Sequence, residues 1–126
     1  MILADTSVWV DHLRAANPRL ERLLLESRVL THPFVIGEIA CGNLRQRGVI
    51  LEALRELPSA TVAADDEVLR LVEERCLWGS GIGWLDAHLL ASALLTGCRL
   101  WTLDRRLRRA GGQVPVAFSG GKDGAG

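Results

Sequence analysis

The chain has 126 residues, of which 48% are hydrophobic and 24% are charged, and its fifteen basic side chains balance fifteen acidic ones. A chain of this length folds as one domain without needing a disulfide or metal. Its many apolar residues and zero net charge exclude intrinsic disorder. Zero net charge argues against a general nucleic-acid binder, and no apolar run approaches the ~18 residues of a membrane span.

The N-terminal apolar run and the cysteines predict where the protein resides. The run reaches the acidic Asp5 before the apolar core of a signal peptide is complete. Cys41, Cys76 and Cys98 lie far apart and form no paired spacing, so neither a zinc site nor a disulfide framework is predicted. We expect three buried thiols in a cytoplasmic protein that does not enter a membrane.

Short apolar runs alternate with helical patterns along the chain. In chain order, we predict a strand at residues 1–4, helices at 6–14 and 18–27, a strand at 28–31, helices at 33–45 and 48–57, a strand at 60–63, helices at 65–78 and 84–96, a strand at 99–102, a helix at 105–110 and a strand at 114–118. This alternation predicts an α/β domain over residues 1–118, a mainly parallel five-stranded sheet with helices on both faces. The glycine-rich residues 119–126 are expected to be disordered.

Two acids follow predicted strands. Asp5 comes directly after the first strand, and Asp104 comes after the strand at residues 99–102. Each acid alone is typical of a helix N-cap. Ligands of open parallel sheets bind beyond the carboxyl ends of the strands, so this pair also marks the place where chemistry is expected.

Two further acids lie inside apolar helices. Glu38 has mostly apolar helical neighbours, and Asp86 lies in a helix that is apolar nearly all round. A buried carboxylate is costly unless it is paired or bound to a cation, and the interior segments supply no arginine. Oxygen ligands favour Mg²⁺ or Mn²⁺. His32 and His88 are the basis of a zinc alternative, but we interpret both as structural.

Four acid-containing segments occur together: residues 2–10 (ILADTSVWV), 37–39 (GEI), 85–93 (LDAHLLASA) and 100–104 (LWTLD). In this order and spacing they resemble a PIN-domain ribonuclease of the VapC toxin type, a likeness that covers nearly all of residues 1–118. The resemblance implies a PIN-like three-layer sandwich and a Mg²⁺- or Mn²⁺-dependent endoribonuclease. It also implies a homodimer that is the toxin of a toxin–antitoxin pair and is neutralised by a small antitoxin.

The resemblance also implies roles for individual residues. The acids that surround the metal would be Asp5, Glu38, Asp86 and Asp104. The supporting hydroxyls would come from Thr6 or Ser7 and from Thr102. Metal ions offset the charge of the carboxylates, polarise the phosphoryl oxygen and lower the pKa of a bound water, so we predict hydrolysis of RNA by metal-activated water. In this reaction Asp5, Asp86 and Asp104 would hold the metal, and Glu38 would ligate through water or orient the nucleophile.

The chain departs from many relatives after the fourth acid. Arg106 stands where they carry another acid, and Leu107 stands where they carry an aromatic residue. A basic run surrounds this position and, beside a metal site, predicts contacts with RNA phosphates. It consists of Arg105, Arg106, Arg108 and Arg109.

Other function classes stay open on the sequence alone. An aspartate-based phosphatase or phosphotransferase also begins with a strand that ends in Asp, but it requires a second acid two residues later, where Ser7 stands. A non-catalytic interaction module of similar α/β fold is the other alternative. The glycines Gly79, Gly81 and Gly83 resemble a phosphate-binding loop only superficially, because they follow a helix and lack a lysine, so we predict a connecting loop.

Overall fold

The structure, a computed structural model, describes residues 1–112. Its helices and strands are β1 (Ile2–Ala4), α1 (Thr6–Arg14), α2 (Pro18–Leu25), β2 (Val29–Leu30), α3 (Pro33–Ala40), α4 (Arg47–Glu56), α5 (Asp65–Glu74), α6 (Trp84–Thr96), β3 (Arg99–Trp101) and α7 (Arg105–Gly111). The strands form a parallel sheet in the order β2-β1-β3. The predicted α/β fold with a parallel sheet is confirmed, and Asp5 follows its central strand.

Two groups of helices pack on the sheet. Helix α1 contacts β1 and α3, and α3 contacts α4, whereas α6 contacts β3 and α5. All three residues of β1 are buried, and α6 is buried continuously from Ala87 to Ala93. The strand that leads into Asp5 and the helix that carries Asp86 are therefore rigidly packed, since close-packed interiors leave side chains little freedom.

The sheet has fewer strands than predicted in the described part of the chain. In place of a strand at residues 60–63 there is a single parallel bridge between Thr31 and Ser59. The reason lies in α6: Thr96 Oγ1 accepts from the backbone N–H of residue 61 at 2.9 Å, and Ser92 Oγ accepts from that of residue 63 at 3.2 Å. Side chains thus take the donors that a neighbouring strand would need. The strand predicted at 114–118 and the tail at 119–126 lie outside the described residues.

Three helices end two or more residues earlier than predicted. Helix α2 ends at Leu25, and the chain soon turns at Ser27, whose φ is +55°. Helix α3 ends at Ala40, and Gln46, with a φ of +51°, sets the start of α4. Helix α5 ends at Glu74, shortly before Cys76 at φ +53°. Non-glycine residues with positive φ are uncommon, so the sequence pattern does not signal these left-handed turns.

The histidines have structural hydrogen bonds, as predicted. His32 Nδ1 accepts from the backbone N–H of Phe34 at 3.0 Å, so its proton resides on Nε2, which lies 3.0 Å from Ser92 Oγ. His88 Nε2 lies 2.9 Å from Asp65 Oδ1. These contacts join the start of α3 to α6, and α6 to α5.

The cysteines are free, but the prediction that all three are buried is wrong. Cys41 and Cys76 are exposed, and Cys98 is half-buried. Both exposed thiols lie at the ends of helices that stop short of their predicted limits, where the chain turns back to the surface. Within residues 1–112 no helix is long and apolar enough to cross a membrane.

Candidate active site

Asp5 lies at the carboxyl end of the central strand with both carboxylate oxygens hydrogen-bonded. It is only 4% exposed. Ser7 Oγ donates to Asp5 Oδ1 at 2.5 Å, and Thr102 Oγ1 donates to Asp5 Oδ2. The same Oδ1 also accepts from the backbone N–H of Val8 at 3.2 Å, which makes Asp5 the N-cap of α1. Asp5 can therefore serve both as a helix N-cap and as a residue of the acidic site.

The two hydroxyl groups are themselves oriented by the turn after β3. The backbone N–H of Leu103 donates to Ser7 Oγ at 2.9 Å, and that of Asp104 donates to Thr102 Oγ1 at 3.0 Å. A hydroxyl whose oxygen accepts such a bond directs its single hydrogen elsewhere. In both cases that hydrogen points at Asp5, so the turn after β3 fixes the carboxylate of β1.

Asp104 and Asp86 occupy the first turns of two helices. Asp104 caps α7, its Oδ1 accepting from the backbone N–H of Arg106 at 2.8 Å and of Leu107 at 3.3 Å. Asp86 Oδ2 accepts from the backbone N–H of Gly83 at 3.2 Å, just before α6. Among residues 1–112 the other oxygen of each acid, Asp104 Oδ2 and Asp86 Oδ1, accepts no hydrogen bond.

Glu38 reaches the same region from α3. Thr6 Oγ1, in the first turn of α1, donates to Glu38 Oε1 at 2.6 Å. Sequence reasoning offered Thr6 or Ser7 as one supporting hydroxyl, whereas the structure uses both, one for each acid. Helical geometry explains why the two hydroxyls bond different acids, because adjacent residues at the start of a helix point in directions about 100° apart.

Burial and mutual repulsion act on these carboxylates. Burial is the largest effect raising the pKa of Asp5, with the charge of Asp86 adding to it and the Ser7 and Thr102 hydroxyls opposing it. Burial also raises the pKa of Asp86, followed by the charges of Asp104 and Glu38. Asp86 therefore lies within electrostatic reach of the other three acids, and no cation is among the influences on either pKa.

The acids do not form a closed metal cage. Within the described residues, no three histidine, cysteine or acidic side chains lie close enough together to hold one ion as they stand. Their donor atoms are nevertheless all oxygens, which suit a hard cation. The uncommitted oxygens of Asp86 and Asp104 are the donors that such an ion would recruit.

The basic run lies on the last helix of the described chain. Its four members are exposed and belong to α7, whose N-cap is Asp104. They are Arg105, Arg106, Arg108 and Arg109. This arrangement places a cationic surface at the acidic site, on the side of Asp104.

Comparison with known proteins identifies the family. A family model described as PIN domain matches residues 2–113. The chain is 52% identical over 120 residues to Ribonuclease VapC32 of Mycobacterium tuberculosis, in strains CDC 1551 / Oshkosh and ATCC 25618 / H37Rv, covering 94% of this chain and 97% of the relative. The crystal structure of PAE2754 from Pyrobaculum aerophilum matches with a TM-score of 0.59 at 21% identity, over 86% of this chain and 84% of that one. That likeness supports the fold alone.

The family match and the identity cover nearly the whole described chain. The chain therefore belongs to the PIN-domain family and is a VapC-type ribonuclease, the toxin class that its acidic segments resemble.

Proposed function

We propose that this VapC-type ribonuclease cuts RNA internally by metal-dependent hydrolysis at the acidic site. The observation that carries the proposal is the convergence of four acids from separate elements on one edge of the sheet, without a neutralising cation. Clustered carboxylates raise one another's pKa and are costly to keep ionised, so such a cluster needs a counter-charge. A divalent cation supplies that charge and draws an anionic phosphodiester to the same place.

The metal ligands in this proposal are Asp5, Asp86 and Asp104, and the ion is Mg²⁺ or Mn²⁺. Support comes from the oxygen-only donor set and from the free oxygens of Asp86 and Asp104. Asp5 Oδ1 accepts from both Ser7 Oγ and the Val8 N–H, whereas Oδ2 accepts only from Thr102 Oγ1 and retains a lone pair for a cation. In this proposal the free oxygens of Asp86 and Asp104 would complete the ligand set that begins at Asp5 Oδ2.

The protein's own groups prepare the reaction. A bound divalent ion supplies Lewis acidity and a water of lowered pKa. Glu38, held by the Thr6 hydroxyl, would accept a hydrogen bond from that water and orient it toward the phosphorus, or ligate the ion through water. Ser7 and Thr102 keep the Asp5 carboxylate in one orientation, as partners of metal ligands commonly do. The arginines of α7 would bind phosphates of the RNA strand.

The partners follow from the family. As the toxin of a toxin–antitoxin pair, the chain would be inhibited by an antitoxin segment whose Arg or Lys enters the acidic site and takes the place of the metal. Charge-assisted hydrogen bonds to several carboxylates make such an inhibitor strong. We propose a homodimer on the same family grounds, and the exposed leucines of α5 and α6, Leu69, Leu94 and Leu95, offer apolar surface for it.

The alternative of an aspartyl phosphatase loses support at Asp5. The Asp5 carboxylate is held by the Ser7 and Thr102 hydroxyls. Ser7 also stands where such enzymes carry their second acid. A purely non-catalytic module does not explain why Asp5 is buried beside the charge of Asp86.

A cleavage assay with a matched variant tests the proposal. The substrate is 5′-labelled RNA of random sequence, incubated with purified protein and Mg²⁺. We expect internal cuts from the wild type, none from Asp86→Asn, and wild-type cleavage from Asp66→Asn, which neutralises an exposed acid of α5. Wild-type rates from folded Asp86→Asn, or undiminished cleavage in EDTA, would overturn the proposed mechanism.

A further inference from the structure

The loop between α5 and α6 makes one unusually close approach to α7. Gly81 has a φ of +90°, and a Cβ built on it would lie 3.1 Å from Cδ, 3.7 Å from Cγ and 3.9 Å from Nε of Arg106. Carbon atoms are optimally separated by about 3.5–4.0 Å, so a Cβ at position 81 would force Arg106 to shift by a few tenths of an ångström. The aliphatic part of Arg106 thus packs closely beside the loop at a glycine whose positive φ other residues rarely adopt.

The charged end of Arg106 has no partner in the described part of the chain. Its side chain is exposed, and it forms neither an ion pair nor a hydrogen bond there, whereas its backbone N–H donates to Asp104. The guanidinium is therefore available to an external anion.

The contact lies between the two stretches that carry site acids. Asp104 comes two residues before Arg106 and accepts from the Arg106 N–H, while Gly83, two residues after Gly81, donates its N–H to Asp86. An anion bound by this guanidinium would therefore lie on the side of the site where Asp104 caps α7. For a ribonuclease that anion is a phosphate of the RNA strand.

We propose that Gly81 is a positioning residue for substrate binding, whose missing side chain lets Arg106 lie on the loop and hold an RNA phosphate beside the acidic site. The inference rests on the proposed function for its substrate. Its physical basis is preorganisation: an arginine already packed along its methylenes loses less rotamer freedom when it binds a phosphate. With a side chain at position 81, Arg106 would have to move off this close packing and would bind a phosphate more weakly.

The test compares two glycines of the same loop. Gly81→Ala places a Cβ 3.1 Å from Arg106 Cδ, at a φ of +90°. Gly79→Ala also places alanine at a positive φ, +71°, but no atom lies within 4 Å of its new Cβ. RNA binding is measured by fluorescence anisotropy in EDTA over a series of salt concentrations. We expect Gly81→Ala to raise the Kd about 2–5-fold, as loss of one exposed charge contact does, and Gly79→Ala to leave it unchanged.

The salt dependence separates lost phosphate contact from general disturbance. Removing one phosphate contact lowers the slope of log K against log salt by about one, and a purely structural change does not. We expect this reduction in Gly81→Ala. Its kcat at saturating RNA should stay at the wild-type value while KM rises, because the acids are untouched.

Arg106→Met keeps the proposal testable if Gly81→Ala fails to fold. Methionine retains an unbranched chain on the loop and loses the charge, so we expect the same rise in Kd and the same change in slope. The double variant should bind no worse than Arg106→Met alone. Three outcomes would each overturn the inference. Arg106→Met could keep the wild-type Kd and slope, the losses could be additive in the double variant, or Gly81→Ala could lower kcat at unchanged KM. RNA binding by a wild type that never cleaves would instead contradict the proposed function alone.

Discussion

The Thr102 hydroxyl donates to the Asp5 carboxylate across 97 residues of sequence, and its oxygen accepts the backbone N–H of Asp104 at 3.0 Å. One hydroxyl thus connects the acid of the central strand to the acid that caps α7. Because β1 and β3 are adjacent and parallel, this link lies at the edge of the sheet where both strands end. The relative position of two proposed metal ligands depends on it.

The first prediction follows from this link. Thr102→Val keeps the side-chain shape but leaves Asp5 Oδ2 and the Asp104 N–H without a partner. We expect a loss of about 1–3 kcal/mol in the free energy of unfolding by urea. RNA cleavage should fall about 10–100-fold, the usual cost of removing a partner of a metal ligand.

Thr96→Val is the matched control for Thr102→Val. Thr96 Oγ1 accepts from the backbone N–H of Thr61 at 2.9 Å, remote from the acids. This variant should lose stability through the same kind of unpaired N–H while keeping the wild-type cleavage rate. Equal activity in the two variants would show that Thr102 has no role in positioning Asp5.

The second prediction concerns the acids themselves. Asp5→Asn, Asp86→Asn and Asp104→Asn should each reduce cleavage by more than about 100-fold, since even outer partners of metal ligands are worth about 10–100-fold. Without metal, Asp86→Asn should unfold at the wild-type temperature or above it, because it relieves repulsion from Asp104 and Glu38. A marked fall in the melting temperature of Asp86→Asn would show that its charge stabilises the metal-free fold.

Much of this arrangement was predictable from local patterns. The bounds of α1 and α6 were predicted correctly because strong signals mark their ends, Asp5 at one N-cap and Gly97 at one C-cap. The absent strand at residues 60–63 was not predictable, since it depends on Ser92 and Thr96 reaching across from α6. For the same reason, sequence patterns singled out four acids as candidates but did not reveal that Glu38 is exposed, nor which hydroxyl donates to which acid.

The third prediction is a pH dependence set by His32. Burial, followed by the charge of His88, lowers the pKa of His32 to about 4 from its ordinary 6.5. Between these values the unfolded chain binds the proton and the folded chain does not. Stability therefore falls as the pH drops from 6.5 towards 4, by at most about 3 kcal/mol at about 1.36 kcal/mol per pH unit.

The measurement is urea unfolding of the wild type and of His32→Gln, in EDTA, across this range. The raised pKa values of Asp5 and Asp86 act with the opposite sign, since these acids gain stability on acidification through the range above 3.8. Subtracting the two proteins cancels that contribution and leaves that of His32. A difference that does not change with pH would show that folding does not shift the pKa of this imidazole.

The fourth prediction concerns metal removal. EDTA should stop cleavage, Mg²⁺ or Mn²⁺ should restore it, and a chelator selective for zinc should have no effect. Mg²⁺ at about 100 times its Kd should stabilise the wild type by about 2.7 kcal/mol, which differential scanning fluorimetry detects as a higher melting temperature. Asp86→Asn should show little of this shift. Cleavage that persists in EDTA would point to a metal-free mechanism.

The last prediction is the number of ions bound. Four carboxylates supply at most four negative charges, whereas two divalent ions about 3.5–4 Å apart carry roughly four positive ones. We therefore expect titration calorimetry of the wild type without RNA to give about one Mg²⁺ per chain, bound weakly, with a second ion arriving only with an RNA phosphate. Two tightly bound ions per wild-type chain would contradict this charge argument.

Arg106 provides the matched variants for that titration. Arg106→Asp adds an acid where many relatives carry one, so it should tighten Mg²⁺ binding or raise the stoichiometry while weakening RNA binding. Arg106→Met removes the positive charge without adding an acid, so it should change Mg²⁺ binding less than Arg106→Asp does. If Arg106→Asp changed neither metal nor RNA binding, the side chain at this position would have to point away from the site.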